Sequence, residues 1–396
     1  MNEPFPDPEL LKPASLRPEN LLLLLCAHRG GAAASGRARE SAGRDLDWDY
    51  LYRLAQRHAL LPLLYRGLEE AGRDAAPAPF RDRLRGKFRE NATRNTLLAG
   101  ELVRLARLFE SEGVALLAYK GPALAVQAYG ELSLRRFIDL DILVRRRDVA
   151  RACGLLEAQG FAKPARLGAA QERFLLRRQH NLAFARDAGR LTVELHWELA
   201  PANFASVPLG EDVWGRAASV KLQGSEVRTL APEDLLLALS VHGTKHLWER
   251  LAWVCDVAAL VNSQTNLDWP SILDRARASR VERMLRLALR LARGLLGARL
   301  PAEVLAETAD PAVRGMASEV AAALFRGGEY VPAGFARGVG FNLRVRGGLR
   351  EKAGYLRHVL TPTDADLTAV SLPAGMSFLY YLLRPLRLAL KGGAEH

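Results

Sequence analysis

A chain of 396 residues with 49% hydrophobic and 25% charged content is ordinary globular material, long enough for two or three packed units. Cys26, Cys153 and Cys255 lie far apart with no CxxC pair, which excludes a disulfide framework and a zinc knuckle and fits a reducing cytoplasm. The net charge of +12 and the pI near 9.9 invite a nucleic-acid or membrane partner. The arginines, however, are scattered through helical stretches such as RMLRLALRLARGLL, where alternate charges form a solvated face.

In chain order, LLLLLCA near the start is too short to span a bilayer and lacks signal-peptide flanks, so no export is implied. Residues 30–44, GGAAASGRARESAGR, are small, polar and aperiodic and read as a mobile loop between two helices. WDYLYRLAQRHALLPLLYRGLEEAG and FRDRLRGKFRENATRNTLLAGELVRLARLFESEG then repeat apolar residues every three or four positions, so residues 1–112 form an N-terminal helical region.

From Gly113 the texture changes. VALLAY is a short apolar run, and IDLDILV and LTVELHWEL alternate, with helical stretches between them. Residues 113–230 therefore read as a compact α+β unit. Beyond Pro232 the helical period returns, and residues 231–396 read as helices broken at Pro301, at the glycines around 327–348, and at Pro362 and Pro373. The C-terminal SFLYYLLRPLRLALKGG is apolar and basic, but Pro373, Arg384 and Pro385 interrupt any spanning helix, and a packed helix is the reading. No internal repeat is evident.

The chemistry concentrates in the two alternating strands. In a strand, Asp139 and Asp141 point one way while Ile138, Leu140 and Ile142 point into the core. Two such carboxylates repel unless they share a proton or bind a cation, and Mg²⁺ is the natural occupant. A bare Asp-x-Asp proves little, because a chain this acidic contains on the order of four or five acidic i, i+2 pairs by chance. Asp45, Asp47 and Asp49, and Asp364 with Asp366, are such decoys: they follow a Gly/Arg-rich loop and a Thr-Pro turn and suit helix N-caps. In TVELHWEL, Thr192, Glu194, His196 and Glu198 share a face opposite Val193, Leu195 and Trp197, so Glu194 can complete a carboxylate triad. The alternative for Glu194 is a solvent-facing position on a half-exposed strand.

AYKGPALAVQAYGELSLRRFIDLDILV, then VELHWEL, then HGTKHLWERLAWVCDVAAL resemble the uncharacterised bacterial nucleotidyltransferase family of the DNA polymerase β-like superfamily. The resemblance implies a small mixed β-sheet flanked by helices, a Gly turn after the first strand, an Asp-x-Asp on the next and a third acid on a later one. On this chain these are Gly121, Asp139 with Asp141, and Glu194, the last three being both catalytic residues and ligands of Mg²⁺ (or Mn²⁺). Many members of the superfamily carry Gly-Ser at the turn; here it is Lys120-Gly121-Pro122, and proline removes an N–H donor. Lys120, Arg135 and Arg136 would then grip the triphosphate, guanidinium offering bidentate contacts. The alternative is that an arginine simply pairs with Asp139 or Glu131.

Read as one helix, His242, His246, Arg250, Trp253 and Asp256 form a polar stripe opposite Leu236, Leu247, Leu251 and Val254. The resemblance places such a helix beside the cleft, where Lys245 or Arg250 reaches phosphate and Trp253 the base. HGTKH spaces two imidazoles as in a zinc protease, but Gly243 stands where the required Glu would be. The expectation is a cytoplasmic, metal-dependent nucleotidyltransferase that moves a nucleoside monophosphate, AMP from ATP, onto a small molecule, protein or RNA. A catalytically inactive nucleotide-binding scaffold of the same fold and a basic nucleic-acid binder are the alternatives.

Overall fold

The computed structural model describes residues 5–11, 16–28, 31–163, 179–201, 203–205, 210–326, 334–362, 366, 370 and 374–384. Four helices open the chain: α1 (Pro18–His28), α2 (Gly31–Ala42), α3 (Trp48–Arg57) and α4 (Leu61–Ala71). Helix α2 replaces the loop expected over 30–44. Ala34, Ala38, Ser41 and Ala42 are its buried residues, packed against α1 and α4. Alanine is the best helix former, and a stripe of such small side chains carries no hydrophobic period that composition would reveal. The crossing of α1 and α4 is equally close, since a Cβ at Gly67 would lie 2.6 Å from that of Cys26. Asp47 caps α3, accepting a hydrogen bond from the Tyr50 N–H, as its position after a loop suggests.

Helix α5 (Ala78–Ser111) leads into the sheet. The strands are β1 (Leu116–Ala118), β2 (Leu140–Val144), β3 (Asn181–Arg186), β4 (Leu191–His196), β5 (Ala218–Leu222) and β6 (Ser225–Thr229), in the order β3-β4-β2-β1-β6-β5. The fold is thus α+β, one mixed six-stranded sheet flanked by helices. Helices α6 (Gly121–Tyr129), α7 (Val149–Ala158) and the short α8 (Glu211–Gly215) lie between strands.

Alternation along the strands divides two cores. Leu116, Ala118, Leu140, Ile142, Val144, Val193 and Leu195 join α5 and α7 in one. Leu117, Tyr119 and Leu143 point the other way into a larger core built with the N- and C-terminal helices. Ile138 departs from the expectation. It precedes β2 and is 50% exposed, because the alternation begins only at Leu140, where pairing with β4 begins.

The C-terminal helices are α9 (Pro232–Lys245), α10 (Leu251–Ser263), α11 (Trp269–Ala278), α12 (Glu282–Leu296), α13 (Ala302–Glu307), α14 (Pro311–Leu324), α15 (Phe335–Arg344) and α16 (Leu349–Val359). The single helix expected over the HGTKH segment is in fact two. Leu247 and Trp248 both adopt left-handed φ near 54°, and the Trp248 ring folds back onto Gly243, where a Cβ would stand 2.5 Å from it. Gly243 is there to receive that ring, and burial of a whole indole drives the break. Pro301 and Gly348 precede α13 and α16 as expected. Gly327, Pro373, Pro385, Asp364 and most of the C-terminal tail lie outside the described residues. No described helix is long and apolar enough to cross a membrane.

His58, fully buried after α3, ties three elements together. The Leu251 N–H donates to its Nδ1 (3.2 Å), so its Nε2 carries the proton and donates to the Leu324 carbonyl (3.0 Å). Burial, with Arg57 adding to it, pushes this imidazole down to about 4 from 6.5. The folded state therefore binds fewer protons than the unfolded one, and the stability His58 provides is present above about pH 6.5 and lost as pH falls toward about 4. At most about 3 kcal/mol is involved. In urea titrations, wild type should exceed His58→Gln in stability at neutral pH, with the gap closing near pH 4; a gap independent of pH would contradict this.

Candidate active site

The parallel pairing of β2 with β4 sets Asp141 opposite Glu194 and Leu143 opposite His196. Asp141, Glu194 and His196 therefore rise from the same face, away from α5 and α7. One ligating atom from each lies within 4.8 Å of the others. His196 Nε2 stands 3.3 Å from Asp141 Oδ1 and 3.2 Å from Glu194 Oε2. Those distances are within ion-pair reach, yet the angles leave Nε2 without a hydrogen-bond partner. Its other nitrogen, Nδ1, meets the Tyr119 hydroxyl at 3.2 Å, and Asn181 donates to Glu194 Oε2 at 3.1 Å. Sequence reasoning placed His196 on this face and gave it no role; the alternation TVELH was the available signal. Tyr119 and Asn181 carried none.

Lys120 answers the acids. Its Nζ donates to Asp141 Oδ1 at 2.7 Å, the carboxylate buried and the ammonium mostly so. Burial opposes either charge alone, but the pair holds Lys120 well above and Asp141 well below their ordinary values. Asp139, half-buried just before β2, is pushed up to about 6 by burial and then by the charges of Asp141 and Glu194. Glu194 is lowered, chiefly by His196, against burial and Asp141. Gly121 opens α6 with φ +55°, and a Cβ there would lie 3.2 Å from the Asp139 carbonyl. Only glycine suits both the dihedral and that approach. Pro122 sits in the first turn of α6, where a missing N–H costs no helical bond.

The remaining cations divide. Lys245, at the end of α9, is half-buried 3.5 Å from His180 Nε2; burial and Lys120 pull it down while Glu194 and Asp141 draw it up. Around it, burial holds His242 and His246 well below their ordinary value, the latter at about 4, so these imidazoles are neutral. The His242, His246 and Trp253 rings lie 4.7–5.5 Å apart as a packed cluster.

Arg135 is committed elsewhere. Its guanidinium takes Asp256 bidentately at 2.8 and 2.9 Å, and the Tyr129 hydroxyl donates to the same carboxylate at 2.7 Å. Glu131, expected as an arginine's partner, is paired with Arg66 at 2.8 Å. Arg136 and Arg250 have no carboxylate partner among the described residues. They line a small cavity of about 60 Å³ together with Tyr129 and Trp253. Arg136 is pulled down by burial and by the like charges of Arg94 and Arg250.

The model of a family described as uncharacterised nucleotidyltransferase matches residues 44–297. A solved structure described as an antigenic nucleotidyltransferase-like protein from Paracoccidioides brasiliensis is similar over 52% of this chain and 94% of its own, at 16% identity and a TM-score of 0.31. No curated protein matches.

The two arginines separate by stability. Asp256→Ala strands a buried guanidinium and should cost about 3–5 kcal/mol in chemical denaturation. Arg136→Ala, at an exposed position, should change stability by less than about 0.5 kcal/mol. Equal effects would mean that Asp256 is not the counter-charge of Arg135.

Proposed function

The chain belongs to the uncharacterised nucleotidyltransferase family, and from that premise we propose that it transfers a nucleoside monophosphate, AMP from ATP, onto an acceptor and releases pyrophosphate. The observation that carries this reading is the convergence of Asp141, Glu194 and His196, with Asp139 crowded beside them, at the lip of the Gly121 turn. We assign the transfer core to residues 113–230, closed on either side by the helical regions 1–112 and 231–396.

The donor set fits a divalent cation. His196 Nε2 is buried, without a hydrogen bond, and aimed between two carboxylates, while Tyr119 orients the ring from its other nitrogen. One imidazole among carboxylates favours Mn²⁺ over Mg²⁺ more than an all-oxygen set would. The ion supplies charge against the phosphates of the nucleotide. Glu194 is oriented by Asn181 to keep one oxygen toward the cleft. Asp139, raised toward neutrality, is the carboxyl suited to take the acceptor's proton. Arg136 and Arg250, which have no carboxylate partner among the described residues, are the guanidiniums for the triphosphate, and Lys245 is a further cation within reach of the charges of Glu194 and Asp141. Arg135 positions the segment leading to Asp139 through Asp256.

A second reading is an inactive nucleotide-binding scaffold, favoured by the Lys120 ammonium already seated on Asp141. Incubating the protein and cell extract with each labelled nucleotide and Mn²⁺ or Mg²⁺ identifies donor and acceptor together. Mn²⁺ should support labelling at least as well as Mg²⁺, and EDTA should abolish it. Asp139→Asn should lower transfer at least about a hundredfold, while leaving the melting temperature unchanged or raised, because one of three crowded acids loses its charge. Full activity in that variant sinks the assignment. Metal-dependent nucleotide binding by calorimetry with no pyrophosphate release favours the scaffold.

A further inference from the structure

Away from the carboxylates, a cavity of about 490 Å³ opens between the α11–α12 turn, residues 203–205 and the α15–α16 corner. Arg280, Arg346, Arg350 and Arg357 line it against a single acid, Glu351. That volume is in the range of small-molecule sites.

Arg346 is the anchor. It is 3% exposed, with its guanidinium held between the Phe204 and Tyr355 rings at 4.6 and 4.3 Å. It donates to the Asn342 carbonyl, to Asn342 Oδ1 (3.1 Å) and to the Phe204 carbonyl (2.7 Å). All of these are neutral, and no carboxylate pairs with it among the described residues. A buried charge in that state is costly, and burial pulls its pKa down to about 10.

Three further features aim charge at the same space. Arg350 and Arg357 lie two turns apart on α16, exposed, with no ion pair among the described residues. Arg280 stands two residues beyond the end of α11 at φ +56°, a left-handed position that glycine occupies without strain and that costs another residue about 1 kcal/mol or more. Glu351 turns away to cap the N–H of Gly348 at 2.6 Å and stands 4.0 Å from Arg280.

We propose that this cavity binds a small, multiply charged anion, its phosphate or carboxylate groups supplying the counter-charge that Arg346, Arg350 and Arg357 lack. The site is concave and confined, unlike the extended stripe a nucleic-acid backbone requires. Phe204 forms its wall toward the interior. His358 meets that ring edge-on at 5.7 Å and is close enough to Lys245 to feel its charge. The cavity shares no residue with the acidic notch, and its occupancy does not depend on the transferase reading.

Titration calorimetry of the full chain with inorganic tripolyphosphate, in low salt with EDTA present, tests this. Chelation leaves the carboxylate notch without a cation to attract the probe. Binding is expected, and the double variant Arg350→Ala/Arg357→Ala, both positions exposed, should weaken it by about tenfold or more while melting like wild type. In the Arg136→Ala/Arg250→Ala background, which removes the arginines assigned to the nucleotide's triphosphate, tripolyphosphate binding to this cavity should persist. Absence of binding, or its loss only in the second double variant, would overturn the proposal. Because no turnover is measured, an inactive enzyme and an absent anion site give different results.

Discussion

Repulsion among crowded, partly buried carboxylates is the constraint on which the rest of the structure turns. Asp141 and Glu194 are brought together by the parallel register of β2 and β4, and Asp139, just before β2, lies close enough to feel the charge of both. Like charges there are tolerable only with compensation. The structure supplies it unevenly: Lys120 takes Asp141, His196 favours the charge on Glu194, and Asp139 is left raised toward its protonated form. The imbalance is local. The histidines beside Lys245 stay neutral because burial and the charges of Lys120 and Lys245 outweigh the pull of the acids.

Much of the architecture was legible before any coordinates. Alternation in IDLDILV and TVELHWEL identified the strands, and the apolar partners Leu140, Ile142, Val193 and Leu195 do line one core. The placement of Asp141 and Glu194 on a common face followed from period two alone. What pattern could not show was pairing. Nothing in the spacing of Arg135 or Asp256, 121 residues apart, marks them as partners, and the bidentate bond between them exists only because α10 packs beside α6.

Two local readings failed for the same reason. Periodicity counts large apolar side chains, and α2 is held by alanines, so a helix looked like a loop. The α9–α10 corner looked like one helix because Leu247 and Trp248 continue the apolar pattern, whereas their left-handed φ values are repaid by burying an indole against Gly243. In both places tertiary contact with a small residue decided the conformation. Small residues are where one-dimensional patterns are least informative. His196 was overlooked differently: it lay on the right face, but its value as a donor comes from an Nε2 left without a hydrogen bond, which only geometry reveals.

The brace between Arg135 and Asp256 has a corollary for modularity. The segment that delivers Asp139 is moored by its guanidinium to a helix that begins more than a hundred residues later and lies outside the sheet unit. A graft of the strands alone onto another scaffold would carry the acids but not the mooring, and the stranded arginine would be free to swing toward those same carboxylates. Any minimal version of this protein has to extend through α10.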